Sequence, residues 1–275
     1  MQDMRVEPLG ETVGAEAVGV DRDRLLHDPD VPAFVGEALD EHGVLLFRGI
    51  GVDDEEQVAF GRRLGDLVAR PGHPVPEITI ITQDAGNHLS EYFRGNVNWH
   101  IDGAMDEIPC KAGILSARVM APGDGGTEFA STFAAYDDLD DDAREELGRL
   151  RVVHSLEATL RRVYAEPTPE QVADWRAKAT REHPLVWEHR SGRKSLVLGA
   201  TADHVVGMDV DEGRALLADL LAHATRPERV FRHDWTVGDL VIWDNTGVLH
   251  RVTDYEPTSR RELHRATVDG DERIQ

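Results

Sequence analysis

The 275-residue chain is 40% hydrophobic, which is enough for a sizeable core, and its length is typical of a single domain spanning residues 1–275. Its 30 Lys and Arg against 52 Asp and Glu give a net charge of −22, which argues against binding to nucleic acid or an anionic membrane. The single cysteine, Cys110, excludes an intrachain disulfide. Because the sequence contains neither a secretion signal at its start nor an apolar run of membrane-spanning length, it predicts a cytoplasmic protein.

Short apolar runs and helical patterns follow one another along the chain. In chain order, the predicted elements are a helix at 31–41, a strand at 43–47, a helix at 53–64, strands at 78–81 and 112–119, helices at 140–150, 169–181 and 210–222, and a strand at 239–243. Asp53 and Glu56 form a plausible capping pair for the second helix. The pattern favours a β framework interrupted by a few helices.

The segment 98–102 contains a histidine and an aspartate two positions apart. On an extended strand, His100 and Asp102 point to the same face and can offer two ligands to one metal. A third candidate, His250, follows an apolar strand and a loop that can return its imidazole to the same cavity. Two histidines and one carboxylate leave three positions open on an octahedral ion, as in non-haem Fe(II) oxygenases. A histidine near an aspartate also occurs by chance and often only satisfies hydrogen bonds, so both interpretations stay open.

Two arginines near the end of the chain suggest an anion site. The period of two in segment 261–268 puts Arg261 and Arg265 on one strand face, on which successive side chains are roughly 7 Å apart. An inward guanidinium requires an anionic partner, and a carboxylate matches its fork geometry. The alternative is an ordinary exposed edge strand that carries charged side chains.

These motifs resemble the family of taurine dioxygenases and dichlorophenoxyacetate dioxygenases (TauD/TfdA), which use Fe(II) and 2-oxoglutarate. The resemblance covers nearly the whole chain, because several motifs occur in the family's order. These motifs are at 8–15, 99–102, 125–127, 183–186, 243–245 and 264–267. The fold implied by the resemblance is α+β and mainly β, with a double-stranded β-helix (jelly roll, cupin-like) core and flanking helices.

The resemblance implies roles for five residues around the iron and the co-substrate. His100, Asp102 and His250 are the implied Fe(II) ligands and the catalytic centre. Arg261 is implied to pair with the distal carboxylate of 2-oxoglutarate, and Thr127 to hydrogen-bond the same end. O2 is the remaining reactant that the resemblance implies.

Four further residues are implied to contact the prime substrate. Arg265 matches the residue that reaches an anionic group of the substrate, and Asn96 lies where the family places a substrate-contacting amide. Taurine-type enzymes offer a histidine to the sulfonate after segment 64–67, where this chain has segment 70–73. Either Arg70 or His73 can therefore take that role.

The implied reaction hydroxylates an unactivated C–H bond of a small anionic substrate, with succinate and CO2 as products. The candidate substrates are a sulfonate, an alkyl sulfate, an aryloxy acid or another carboxylic acid, with C–heteroatom cleavage where the hydroxylated carbon bears a heteroatom. Related enzymes commonly form dimers or tetramers, so a homo-oligomer is expected. Two alternatives remain, a zinc hydrolase built on the same three ligands and a non-catalytic jelly-roll binding protein with a structural metal.

Overall fold

A computed structural model describes residues 3–70, 74–82, 94–121, 123, 125–253 and 259–275. In these residues the chain forms a mixed α/β fold, in which fifteen strands outnumber eight α-helices. None of the helices in the described ranges is long and apolar enough to cross a membrane.

The described strands and helices alternate irregularly along the chain. The strands are β1 (Arg5–Pro8), β2 (Ala15–Val18), β3 (Val44–Phe47), β4 (Ile78–Ile81), β5 (Ala112–Val119), β6 (Gly126–Ser131), β7 (Arg151–His154), β8 (Arg181–Pro184), β9 (Val186–Glu188), β10 (Lys194–Leu196), β11 (Ala202–Val205), β12 (Val230–Asp234), β13 (Leu240–Asp244), β14 (Val248–Val252) and β15 (Glu262–Val268). The α-helices are α1 (Arg22–His27), α2 (Val31–His42), α3 (Asp54–Gly61), α4 (Thr132–Asp137), α5 (Asp141–Leu147), α6 (Leu156–Val163), α7 (Pro169–Arg176) and α8 (Val210–Ala224). Short 3-10 helices lie at Arg94–Val97 and Pro227–Arg229.

The largest described sheet has seven strands in the order β1-β2-β3-β13-β5-β15-β4. Its pairs are antiparallel except for β2 with β3, so strands from both ends of the chain meet at its centre. A second sheet pairs β12, β6 and β14, and two smaller sheets pair β11-β7-β8 and β10-β9.

The two faces of the seven-stranded sheet pack against different partners, because side chains alternate across a strand. On the outer face, Ile114 and Ile242 are fully buried together with apolar residues of α1, α2 and α3. On the inner face, Leu115, Trp243 and Leu263 pack against aromatic residues of the β12-β6-β14 sheet. The core therefore has two layers, and the candidate site residues are found in the inner layer, between the two sheets.

Most predicted elements are confirmed within a few residues, and the exceptions have local causes. The strands at 78–81 and 112–119 match β4 and β5, and Asp53 and Glu56 form the predicted capping box. The helix expected at 169–181 ends at Arg176, because Arg181–Pro184 pairs with β7 instead. The sequence prediction missed the short helices α1, α4 and α6, each of which starts at a side-chain cap.

One buried histidine in the β11-β7-β8 sheet couples folding to pH. His154 of β7 is 0% exposed, and its Nδ1 lies 2.8 Å from Thr201 Oγ1. Its ring contacts the ring of His183 on β8 at 5.6 Å. Burial, with a smaller effect of His183, lowers the pKa of His154 to about 3. The folded protein therefore keeps this imidazole neutral at pH values where an unfolded chain protonates it.

We predict that the free energy of unfolding decreases as the pH falls below about 6.5, since only the unfolded state then takes up a proton at His154. This one residue should account for about 2 kcal/mol between pH 7 and pH 5. Urea unfolding at both pH values should show a smaller pH dependence in His154→Gln. The exposed His27, whose side chain is 72% accessible, provides the control His27→Gln, which should keep the wild-type dependence. Equal pH dependence in all three proteins would contradict the assignment.

Candidate active site

His100 and His250 are joined by their backbones. Each residue donates its N–H to the carbonyl oxygen of the other, at 3.1 and 3.0 Å, in an isolated antiparallel bridge. The prediction of an extended strand through 100–102 is wrong, because only His100 makes a β-bridge and a turn begins at Asp102. Gly103 continues that turn with φ +73°, a conformation that glycine adopts without strain.

The bridge and the turn bring His100, Asp102 and His250 together. One ligand atom from each residue lies within 4.8 Å of the other two, and no other such group of three occurs in the described ranges. His250 Nε2 is 3.5 Å from Asp102 Oδ2, and His100 Nε2 is 3.9 Å from Asp102 Oδ1. Within the described residues, the buried His100 Nε2 has no hydrogen-bond partner. Two imidazoles and one carboxylate facing a common point fit a divalent transition metal such as Fe(II).

The orientation of His100 leaves one ring nitrogen available as a ligand. His100 Nδ1 lies 2.8 Å from the carbonyl oxygen of Asn98. A carbonyl only accepts, so Nδ1 carries the hydrogen and Nε2 keeps its lone pair. Burial, reinforced by the nearby His250, lowers the pKa of His100 to about 4. The imidazole is therefore neutral near pH 7, the state in which it binds a metal.

Arg265 supplies the counter-charge of the Asp102 carboxylate. Arg265 Nη1 donates to Asp102 Oδ2 at 2.8 Å, and both side chains are largely buried. Burial alone would raise the pKa of Asp102, but Arg265, followed by His250 and His100, outweighs burial and holds that pKa well below its usual range. Arg265 pairs with Leu115 of β5, so it lies on the inner face of the large sheet. The carboxylate consequently stays ionised and available to a cation.

Asn245, to which the sequence patterns gave no role, holds the backbone of Asp102. The Asn245 side chain is 0% exposed; its Oδ1 accepts from Asp102 N–H at 2.9 Å, and its Nδ2 donates to Asp102 O at 2.9 Å. Nδ2 also donates to Cys110 O at 2.8 Å, which ties both ends of the loop 102–110 to the residue that follows β13. The only sequence signal was its membership of the 243–245 motif, to which no role was attached.

Thr127 lies on the same sheet face as His250, one step further along. On β6, Phe129 pairs with His250 and Thr127 pairs with Val252, and their side chains alternate with Glu128. Two residues along a strand correspond to about 7 Å. Thr127 is 5% exposed, and its Oγ1 accepts a hydrogen bond from Trp235 Nε1 at 2.9 Å. This spacing suits a short dicarboxylate that extends from the candidate metal ligands to the Thr127 hydroxyl.

Arg261 lies just before β15 rather than within it. Its side chain is 2% exposed, and its backbone N–H donates to Ser259 Oγ at 2.9 Å. The strand therefore contains only one of the two arginines expected on its inner face, Arg265. A buried guanidinium next to the inner layer remains suited to an anionic ligand.

The residues expected to contact the prime substrate differ in their burial and in their distance from the candidate metal ligands. Asn96 is half-buried in the 3-10 helix Arg94–Val97, which packs against β14. Arg70 is exposed, and its backbone N–H donates to Pro76 O at 2.7 Å. His73 lies outside the described residues. The structure thus brings Asn96 next to the strand that carries His250 and leaves Arg70 at the surface.

We predict that Asn245→Ala lowers metal affinity by about 10- to 100-fold, because the backbone that presents Asp102 loses its support. The measurement is a calorimetric titration with Mn(II), accompanied by urea unfolding of the metal-free protein. Gln57→Ala is the matched control, since Gln57 is an equally buried amide that donates to two backbone carbonyls on the opposite face of the sheet. The control should lose stability and keep its metal affinity. Equal loss of metal affinity in both variants would show a general effect of destabilisation.

Comparison with known proteins identifies relatives over the whole described fold. The family model of the taurine catabolism dioxygenase TauD, TfdA family matches residues 5–267. The alpha-ketoglutarate-dependent 2,4-dichlorophenoxyacetate dioxygenase of Burkholderia sp. strain RASC is 39% identical over 253 residues, which cover 86% of this chain and 84% of the relative. The alpha-ketoglutarate-dependent sulfate ester dioxygenase of Pseudomonas putida is 34% identical, with 98% of this chain and 90% of the relative covered.

One solved structure resembles this chain over nearly its whole length. The crystal structure of AAD-2 in complex with Mn(II) and N-oxalylglycine superposes with a TM-score of 0.83 and 35% identity. The match covers 99% of this chain and all of that one. Sequence and fold therefore point to the same group of proteins.

Proposed function

The chain belongs to the TauD/TfdA family of taurine catabolism dioxygenases, and on that premise we propose that it oxidises a small anionic substrate at a carbon that bears oxygen. It is a 2-oxoglutarate-dependent dioxygenase that uses Fe(II) and O2. An aryloxyalkanoic acid is the first candidate, because the 39% identical relative acts on 2,4-dichlorophenoxyacetate. An alkyl sulfate ester is the second, because the Pseudomonas putida relative is a sulfate ester dioxygenase. Hydroxylation next to the oxygen releases a phenol from the first and sulfate from the second.

The observation that carries this proposal is the convergence of His100, Asp102 and His250 within 4.8 Å. We assign these three residues as the Fe(II) ligands and the catalytic centre. A neutral imidazole, an ionised carboxylate and a second imidazole would hold an Fe(II) ion and would leave positions for reactants, as in non-haem Fe(II) oxygenases. Hydroxylation takes its oxidising power from the bound iron, O2 and 2-oxoglutarate, with succinate and CO2 as products.

Thr127 and Arg261 are the proposed partners of the distal carboxylate of 2-oxoglutarate. Thr127 lies on the face of β6 that also meets His250, and Arg261 is buried at the start of β15. A guanidinium and a hydroxyl together neutralise and orient a carboxylate better than either group alone. They would hold the co-substrate in one direction relative to the metal ligands.

Arg265 and Asn96 are the proposed contacts of the prime substrate. The net charge of −22 repels an anion in general, so a local cation is needed at the site. Arg265 lies beside Asp102, where it can attract an anionic head towards the reacting centre. Asn96 adds an amide from the helix that packs on β14. Arg70 or His73 is proposed for a further contact, as the resemblance to taurine-type enzymes implies.

The finer architecture is also a proposal. We infer that the seven-stranded sheet and the β12-β6-β14 sheet are the two walls of a double-stranded β-helix, with α1, α2 and α3 packed outside. Residues 1–275 are proposed to be one domain, and a dimer or tetramer is the proposed assembly.

Neither alternative from the sequence gains support. The 2,4-dichlorophenoxyacetate relative and the sulfate ester relative are both dioxygenases. A closed structural zinc site uses four ligands, whereas the described residues bring only three candidate ligands together.

We predict that phenoxyacetate supports succinate formation when Fe(II), 2-oxoglutarate and air are supplied, and that phenol is released in equal amount. The matched compound 2-methyl-2-phenoxypropanoate lacks a hydrogen on the carbon next to oxygen and should release no phenol. Asp102→Ala should remove both products, because the carboxylate ligand is lost. Turnover that continues without oxygen and 2-oxoglutarate would refute the assignment as a dioxygenase.

We predict that Arg261→Ala weakens 2-oxoglutarate binding by about 2–5 kcal/mol, because it removes the cationic partner of a buried carboxylate. Calorimetry with the Mn(II)-loaded protein measures this affinity without turnover. The control is Arg229→Ala, which removes another buried arginine, paired with Asp138 at 2.6 Å and bonded to the carbonyl of Ala134. Unchanged affinity in Arg261→Ala, or the same loss in both variants, would remove Arg261 from the co-substrate site.

A further inference from the structure

Trp235 and Thr127 form a buried hydrogen bond in which the roles of donor and acceptor are fixed. Both residues are less than 10% exposed, and Trp235 Nε1 lies 2.9 Å from Thr127 Oγ1. An indole N–H only donates, so the threonine oxygen must accept. The hydroxyl hydrogen therefore points away from the indole, and among the described residues it has no acceptor. A buried donor without an acceptor is unfavourable, which suits it to a ligand oxygen.

The indole itself is held from several sides. Its ring packs edge-on against His233 at 4.6 Å, and it belongs to the inner apolar layer together with Leu115 and Leu263. The turn that follows is closed by Thr236 N–H, which donates to Asp239 Oδ2 at 3.1 Å. The same carboxylate accepts from Gly49 N–H at 3.0 Å. These contacts leave the indole N–H little freedom to turn away from Thr127.

We propose that Trp235 is a positioning residue for the co-substrate: its N–H occupies the Thr127 oxygen and directs the Thr127 hydroxyl hydrogen to the distal carboxylate of 2-oxoglutarate. This inference rests on the proposed function, in which Thr127 binds that carboxylate. A hydroxyl that accepts one hydrogen bond becomes a better donor in the next, so the indole both orients and strengthens the contact. Trp235 acts through Thr127 and needs no contact with the ligand.

The test compares Trp235→Phe with the wild type by calorimetric titration of 2-oxoglutarate into the Mn(II)-loaded protein, in which no turnover occurs. Phenylalanine keeps most of the packing and removes the N–H, so affinity should fall about tenfold, the effect of one hydrogen bond. Affinity for 2-oxopentanoate, which has a methyl group in place of the distal carboxylate, should not change. Equal losses for both 2-oxo acids would overturn the proposal, because a general distortion of the pocket would explain them.

A double-mutant cycle separates this inference from the proposed function. Thr127→Val should weaken 2-oxoglutarate binding, and Trp235→Phe should then have no further effect in the Thr127→Val background. If Thr127→Val is effective and Trp235→Phe has no effect, or if the two effects add, the role of Trp235 is refuted and that of Thr127 stands. If Thr127→Val leaves the affinity unchanged, both the Thr127 assignment and the inference fail.

Two further variants complete the test, one as a control and one as a substitute for Trp235→Phe. Trp187→Phe is the matched control, since Trp187 is 1% exposed and its indole N–H has no hydrogen-bond partner in the described part of the chain. It should keep the wild-type affinity for 2-oxoglutarate. If Trp235→Phe does not fold, replacement of Trp235 by β-(3-benzothienyl)alanine exchanges only the N–H for sulfur. The same tenfold loss is expected there, and a wild-type affinity would overturn the proposal.

Discussion

The ion pair between Asp102 and Arg265 is the interaction on which the candidate site depends. A carboxylate removed from water between two imidazoles is unfavourable unless a cation lies against it. Arg265 meets this requirement from β15, the neighbour of β5 in the large sheet, at 2.8 Å. The pair therefore links the turn after His100 to the inner face of that sheet. Because Arg265 keeps the carboxylate ionised, the centre presents one negative charge and two imidazole side chains to a divalent ion.

Around this pair, hydrogen bonds fix the backbone of Asp102 and the ring of His100. The Asn245 side chain hydrogen-bonds both the N–H and the carbonyl of Asp102, and the carbonyl of Asn98 orients the ring of His100. His183 Nε2 lies 3.0 Å from the carbonyl of Asp106, which anchors the loop after the turn at Asp102. Groups that fix the direction of a ligand prepare a site before the metal arrives. The same logic applies on the other side of the cavity, where an indole occupies the oxygen of Thr127.

Sequence patterns predicted regular elements well where the apolar signal was long. The strands at 112–119 and 239–243 were recognisable because their apolar runs are buried on both faces of the large sheet. Helices of six to eight residues, α1, α4 and α6, were missed because so few turns carry little periodicity and their starts depend on single caps at Asp21, Ser131 and Ser155. The strand expected at 100–102 was wrong because alternation in three residues cannot distinguish a strand from one bridge followed by a turn.

The sequence by itself determined the chemistry available to this protein: two histidines and an aspartate with the spacing of a metal site, arginines for an anion, and motifs in the order of one family. Only the tertiary structure decided which of these groups meet. That Arg265 binds Asp102, 163 positions away, and that Asn245 grips the same residue follow from the pairing of β13 and β15 with β5. Such contacts depend on strand register and on side-chain directions in turns, which local residue patterns do not specify.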